Sequence, residues 1–184
     1  MHSHNTHLYA LLETAKELEV PNVYIHFLGD GRDTAPRSSA KYAKELLDFI
    51  EKEKVGKLVT IIGRYYAMDR DKRWERVKIA AEGLVKGEGE ASDDPIATIE
   101  ARYKKDETDE FLKPIIIGGD EGRIKGVDDV ALVSSQRTDS LQRVTPFSFS
   151  TIALTGCERS PPSSENSMML LILKSRRIWC AFFS

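Results

Sequence analysis

Three short apolar runs, VYIHFL at 23–28, LVTII at 58–62 and PIII at 114–117, are separated by segments whose apolar residues recur with helical spacing. This alternation constrains the fold more than any other feature. Strands joined through helical segments of roughly 10–20 residues cannot be hairpin neighbours, so they pair in parallel and leave both sheet faces to be covered by helices. Leu8, Leu11, Leu12, Ala15 and Leu18 form the first helical face, bounded by Pro21. Ala43, Leu46, Leu47 and Ile50 form the second, entered through Pro36, Ser38 and Ser39 and left near Gly56. Val77, Ala80, Ala81, Leu84 and Val85 form the third, stopped by Gly87 and Gly89. Asp94 before Pro95 has the form of an N-cap followed by proline at N1, opening a fourth helix through about Lys104. The expected fold is α/β, a parallel sheet with helices on both faces in three layers, incomplete, followed by an irregular C-terminal tail.

The tail begins near residue 126. Residues 1–125 contain four serines and 45 charged residues, whereas 126–184 contain eleven serines, 11 charged residues and both cysteines, Cys157 and Cys180. Apolar patterning there is confined to VALV at 130–133, FSFSTIAL at 147–154 and MMLLIL at 168–173, with the breaker-rich SPPSSENS between the last two. The chain therefore divides into a patterned unit at 2–125 and a divergent, poorly ordered tail at 126–184. With 27 basic and 29 acidic side chains, its net charge of −2 argues against a dedicated nucleic-acid or anionic-membrane surface. Two cysteines without a CxxC pair are no disulfide framework. No secretory signal is visible, and MMLLIL is too short to span a bilayer. A cytoplasmic location is expected.

In a parallel sheet the loops that follow the strands share one edge, where ligands bind in α/β folds. GDGRDT at 29–34 follows the first strand and GRYYAMDRD at 63–71 follows the second, so Arg32, Asp33, Arg64 and Arg70 are expected to converge. A guanidinium presents a planar fork of donors that fits a carboxylate or phosphate bidentately, so three of them suit a small acid with more than one anionic group. Asp33, an ionised carboxylate among them, can take a proton from a substrate hydroxyl and return it. The competing reading makes Asp30 and Asp33 turn residues or ion-pair partners, and Arg64 and Arg70 a structural pair with Asp69 or Asp71. Glycines 29, 31 and 63 would allow a ligand close to the backbone, or a positive φ. Tyr65, Tyr66 and Trp74 are assigned to packing, and Asp69, Arg73 and Arg76 rank below the other charged groups. His2, His4 and His7 cluster in HSHNTH without a carboxylate or thiolate to complete a metal set.

HSHNTHLYALLETAKE, DGRDTAP, GRYYAMDRDKRWERV, GEG at 87–89, DDPIATIEARY and ETDEFLKP, in one continuous order from residue 2 to about 125, resemble cofactor-independent phosphoglycerate mutase. The resemblance implies a glycolytic isomerase that interconverts 3-phosphoglycerate and 2-phosphoglycerate through a phosphoserine. Its phosphatase-like domain carries the serine and two Mn2+ ions, and a second domain walls in the glycerate. This chain resembles most of that second, substrate-binding domain. The motifs place substrate contacts on His2, Arg32, Asp33, Arg64 and Arg70 and the acid/base role on Asp33. The serine and the Mn2+ ligands have no counterparts here, so no metal site is expected in this chain. The strand that precedes the HSH motif in the family is also lacking, and after GRIK at 122–125 an R-x-x-R pair is expected where QRTDS offers Arg137 and Asp139 with Ser140 in place of the second arginine. The 184-residue chain is thus expected to be a monomer that holds the phosphoglycerate-binding half and is inactive alone. The alternatives are a non-catalytic module for small phosphorylated acids and a non-functional truncated gene product.

Overall fold

The computed structural model describes residues 5–125, 130–133 and 178–183. In chain order the elements are α1 (Asn5–Glu17), β1 (Val23–Gly29), α2 (Ser39–Glu53), β2 (Lys57–Gly63), the single-turn α3 (Arg64–Ala67), α4 (Trp74–Val85), β3 (Glu90–Ala91), α5 (Pro95–Tyr103), a 3-10 turn at Asp109–Phe111, β4 (Ile115–Ile116), β5 (Val130–Val133) and β6 (Ile178–Phe183). They build one sheet in the order β3-β4-β2-β1-β6-β5. Among the described residues no helix is long and apolar enough to cross a membrane.

Two apolar clusters show that both faces of the sheet are covered. Val23, Ile25 and Phe27 of β1 pack with Leu8, Leu12 and Ala15 of α1, Ala43 and Leu46 of α2, and Ile99 of α5. Tyr24 and Leu28, pointing the other way, pack with Ala67 of α3 and Ala80 and Leu84 of α4. The period of two in β1 thus sorts its side chains between the layers. In β2 the phase slips, because Ile25 pairs with Leu58 while His26 pairs with Thr60, leaving Val59 as the extra residue of a bulge. Leu58 and Ile61 consequently share one face, and Val59 and Ile62 the other.

The helical faces fall where the periodicity puts them, and Asp94 caps α5 through the Ala97 amide at 3.0 Å. Val85 departs from its expected face, lying 49% exposed at the end of α4. A larger departure concerns PIII. β1 and β2 are parallel as expected, but β4 runs antiparallel to β2, pairing Thr60 with Ile116 and Ile61 with Ile115. The amide of Gly63 donates to Leu112 O at 2.7 Å and that of Ile117 to Val59 O at 3.0 Å, so residues 112–117 descend alongside β2 from its carboxyl end. The physical reason lies in the connection: α5 and the 3-10 turn deliver the chain to the carboxyl edge before β4 starts, and from there it can only run back down.

The tail expected to be irregular contributes two strands. β5, at the VALV run, pairs in parallel with β6, and β6 pairs in parallel with β1 from Val23↔Ile178 to Leu28↔Phe183. FSFSTIAL, SPPSSENS, MMLLIL and the QRTDS segment lie outside the described residues.

Candidate functional site

The ladder between β1 and β2 ends on the pair Gly29↔Gly63, so Asp30 and Arg64 are the first residues beyond it on adjacent strands. Their side chains meet: Arg64 Nη1 donates to Asp30 Oδ1 in a very short ion pair, and the same nitrogen stands 3.3 Å from Asp33 Oδ2. Asp30 is buried and ties down its own loop, its Oδ2 accepting from the Asp33 amide at 3.0 Å and the Thr34 amide at 3.1 Å. This is the Asx-type local bonding that makes aspartate a turn residue. Asp33 differs in that its side chain is 60% exposed, held beside Arg64 and open to solvent. The turn-residue reading therefore describes Asp30, and the ion-pair reading holds for both, Asp33 pairing with Arg64 while its side chain stays largely exposed.

Because β4 is antiparallel, the segment that precedes it, rather than one that follows it, lies over this edge. It supplies two carboxylates that the sequence reading did not place here. Glu110 accepts from Arg32 Nε at 2.7 Å and pairs with Arg32 Nη2, and this bond, with Glu110's charge, raises the Arg32 pKa further. Asp109 is fully buried and receives the amides of Ser38 at 2.8 Å and Ser39 at 2.9 Å, capping α2 from a distant segment where Ser38 makes no side-chain cap of its own. It also accepts a very short hydrogen bond from Tyr103 OH. Burial, then Asp109, raises the Tyr103 pKa.

The glycines at the strand ends are explained by the same turn. A Cβ on Gly63 would stand 2.3 Å from Glu110 O, and one on Gly29 would stand 2.8 Å from Asp109 O. Their missing side chains admit the protein's own backbone, not a ligand as the sequence reading had it. Gly31 does take the positive φ that reading allowed, at 68°.

The structure thus brings Arg32, Asp33 and Arg64 to one edge. Arg70 lies beyond α3, exposed, with no ion pair among the described residues. His2 and His4 lie outside the described residues. Asp69 organises the loop between α3 and α4, accepting from the amides of Asp71 at 3.1 Å and Arg73 at 2.8 Å and pairing with Arg76 at 3.5 Å. Arg76 lies over the Tyr65 ring at 3.9 Å, and Tyr65 packs on Phe111 at 5.0 Å, so Tyr65 fastens the 109–111 turn to α3 and α4. Trp74 does not share that packing role, being 58% exposed at the start of α4. The signal that could have found Glu110 and Asp109 is the acidic ETDEF immediately before an apolar run; a parallel assignment for that run sends it to the wrong edge.

Among the described residues no group of three or more His, Cys, Asp or Glu could hold a metal ion. The described side chains therefore do not fit the Mn2+ pair that the resemblance implies.

Residues 1–172 match the family described as BPG-independent PGAM N-terminus (iPGM_N), a match that runs on past residue 125, where the motif resemblance stops. The chain is 50% identical over 147 residues to the 2,3-bisphosphoglycerate-independent phosphoglycerate mutase of Onchocerca volvulus, covering 79% of this chain and 28% of that protein. Against the enzyme of the same name from Caenorhabditis elegans it is 47% identical over 148 residues, 79% of this chain and 27% of the other. A solved structure of Leishmania mexicana phosphoglycerate mutase at low cobalt concentration superposes with a TM-score of 0.61 over 70% of this chain and 25% of that one, at 24% identity, which establishes the fold. The chain spans between a quarter and a third of the length of the curated relatives it matches.

Proposed function

The chain belongs to the BPG-independent phosphoglycerate mutase N-terminal family, and from that premise we propose that residues 2–125 form the wall that binds the glycerate and phosphate of 3-phosphoglycerate and 2-phosphoglycerate. One observation carries the reading: an exposed carboxylate, Asp33, stands 3.3 Å from a guanidinium at the carboxyl edge of a parallel strand pair. In an α/β sheet that edge is where ligands lie.

In this proposal Arg32, Arg64 and Arg70 take the carboxylate and phosphate of the substrate, with His2 as a further contact. Their guanidinium forks match both groups, and a ligand carrying both needs more than one fork. Asp33 accepts a proton from one glycerate hydroxyl and returns it to the other as the phosphoryl group changes place. Arg64 beside it holds the carboxylate in place. The phosphoryl-accepting serine and the Mn2+ ions belong to the part of the family's enzyme that this chain does not match in the motif reading, so the 184-residue chain binds without turning over. It does so as a cytoplasmic monomer.

Isothermal titration of the chain with 3-phosphoglycerate, paired with an assay for conversion to 2-phosphoglycerate in the presence of Mn2+, tests both halves. Saturable heat without conversion is expected. No heat would overturn the binding reading, and conversion by a preparation free of other mutase would overturn the assignment of half a site.

A further inference from the structure

Asp30 is a buried carboxylate that the proposed reaction does not use, yet it touches both loops that carry the site. It sits one residue past Gly29 as Arg64 sits one residue past Gly63, and these glycines are paired, so the ladder itself brings the two side chains together. Its two oxygens divide the work. Oδ2 receives the Asp33 and Thr34 amides and so shapes the loop that presents Asp33. Oδ1 receives Arg64 Nη1. The Arg64 side chain, 15% exposed, is anchored through Nη1.

We propose that Asp30 is the positioning residue of this site: it holds the Arg64 guanidinium next to Asp33 before a ligand arrives, acting through Arg64 without touching the ligand. The inference rests on the reading that Arg64 and Asp33 meet the substrate. An arginine side chain has many rotamers, and one that is already fixed loses little freedom when it binds an anion. A buried anion that spent its charge on no cation would instead repel an acidic substrate, so the sign of the effect on affinity separates positioning from simple repulsion.

The test is Asp30→Asn in the full chain, titrated with 3-phosphoglycerate. The carboxamide oxygen can still accept the Asp33 and Thr34 amides, but its NH2 faces Arg64 donor to donor, so the loop is retained and the arginine is released. Affinity is expected to fall by about tenfold, the scale of re-ordering one arginine at binding. Placed on an Arg64→Ala background, the same substitution is expected to cost nothing further, whereas a general structural role would cost the same on both backgrounds. Unchanged or increased affinity in Asp30→Asn, or full additivity with Arg64→Ala, overturns the proposal. A wild-type chain that binds no 3-phosphoglycerate overturns the site reading and this inference together, while wild-type binding that survives Asp30→Asn overturns this inference alone. If Asp30→Asn fails to fold by circular dichroism, the side-chain NMR of wild-type Arg64 decides: separate, slowly exchanging Nη signals support a held guanidinium and averaged ones contradict it.

Discussion

Two arginine environments stand at different heights along β2. Arg123 is 2% exposed and spends its guanidinium on neutral oxygens: Thr60 Oγ1 at 3.0 Å, Gly83 O at 2.8 Å, Val59 O at 2.9 Å and Gly119 O at 3.2 Å. At the carboxyl edge, Arg64 and Arg32 are paired with carboxylates, their side chains 15% and 57% exposed. Burial pushes the Arg123 pKa down, opposed by Asp120, whereas Glu110 pushes that of Arg32 up. An arginine is thus sorted by its partners: the interior one donates to neutral oxygens of backbone and Thr60 and holds β2 to α4, whereas the edge ones are balanced by carboxylates. The count of arginines in a motif says nothing of this. GRIK and GRYYAMDR look equally suggestive on paper.

The strongest way to break the comparison is Arg123→Ala. It strands several buried acceptors at once, so stability in a urea melt should fall by about 3–5 kcal/mol, with 3-phosphoglycerate affinity of the remaining folded chain little changed. A loss of binding without loss of stability would show that Arg123 belongs to the site after all. Asp109→Ala comes next: removing the partner of the Ser38 and Ser39 amides and of Tyr103 should cost about 2–3 kcal/mol in the same melt. It should also weaken binding, because the turn that carries Glu110 loses its anchor.

A pH series sharpens the interior side of the comparison. His26 is buried, and desolvation, followed by the charge of Arg123, pushes its pKa from 6.5 down to about 3. The unfolded chain therefore takes up this proton first as pH falls. The stability held by keeping His26 neutral is complete above the unfolded value and is lost progressively between about pH 6.5 and pH 3, amounting to roughly 2 kcal/mol from pH 7 to pH 5. His26→Leu should flatten that slope, and a slope that survives the substitution would assign it elsewhere. The smallest effect on stability belongs to Arg70→Ala, expected within about 0.5 kcal/mol for an exposed side chain with no ion pair among the described residues. Its effect on 3-phosphoglycerate affinity should nevertheless approach about tenfold, as loss of a charge-assisted contact implies.

Much of this was legible in the residues. The helical faces, the parallel pair β1 and β2, the Asp94 cap and the shared edge of GDGRDT and GRYYAMDRD follow from local periodicity and turn chemistry, which the structure bears out. The direction of β4 was not legible, because four apolar residues look the same whichever way they run, and pairing direction is settled by where α5 and the 3-10 turn leave the chain. That one error hid Glu110 and Asp109. It also led to reading Gly29 and Gly63 as room for a ligand. β6 was missed for a related reason: an isolated apolar hexapeptide declares no partner, and its pairing with β1 spans most of the chain.

Whether the edge bearing Arg32, Asp33 and Arg64 receives 3-phosphoglycerate, as proposed, is decided by backbone-amide NMR of the 15N-labelled chain titrated with that ligand. Saturable shifts concentrated at residues 29–34, 63–71 and 109–111 are expected, with the amides around Arg123 unmoved. Shifts centred on residues 118–124, or a saturable response that leaves the 29–34 loop silent, would contradict it.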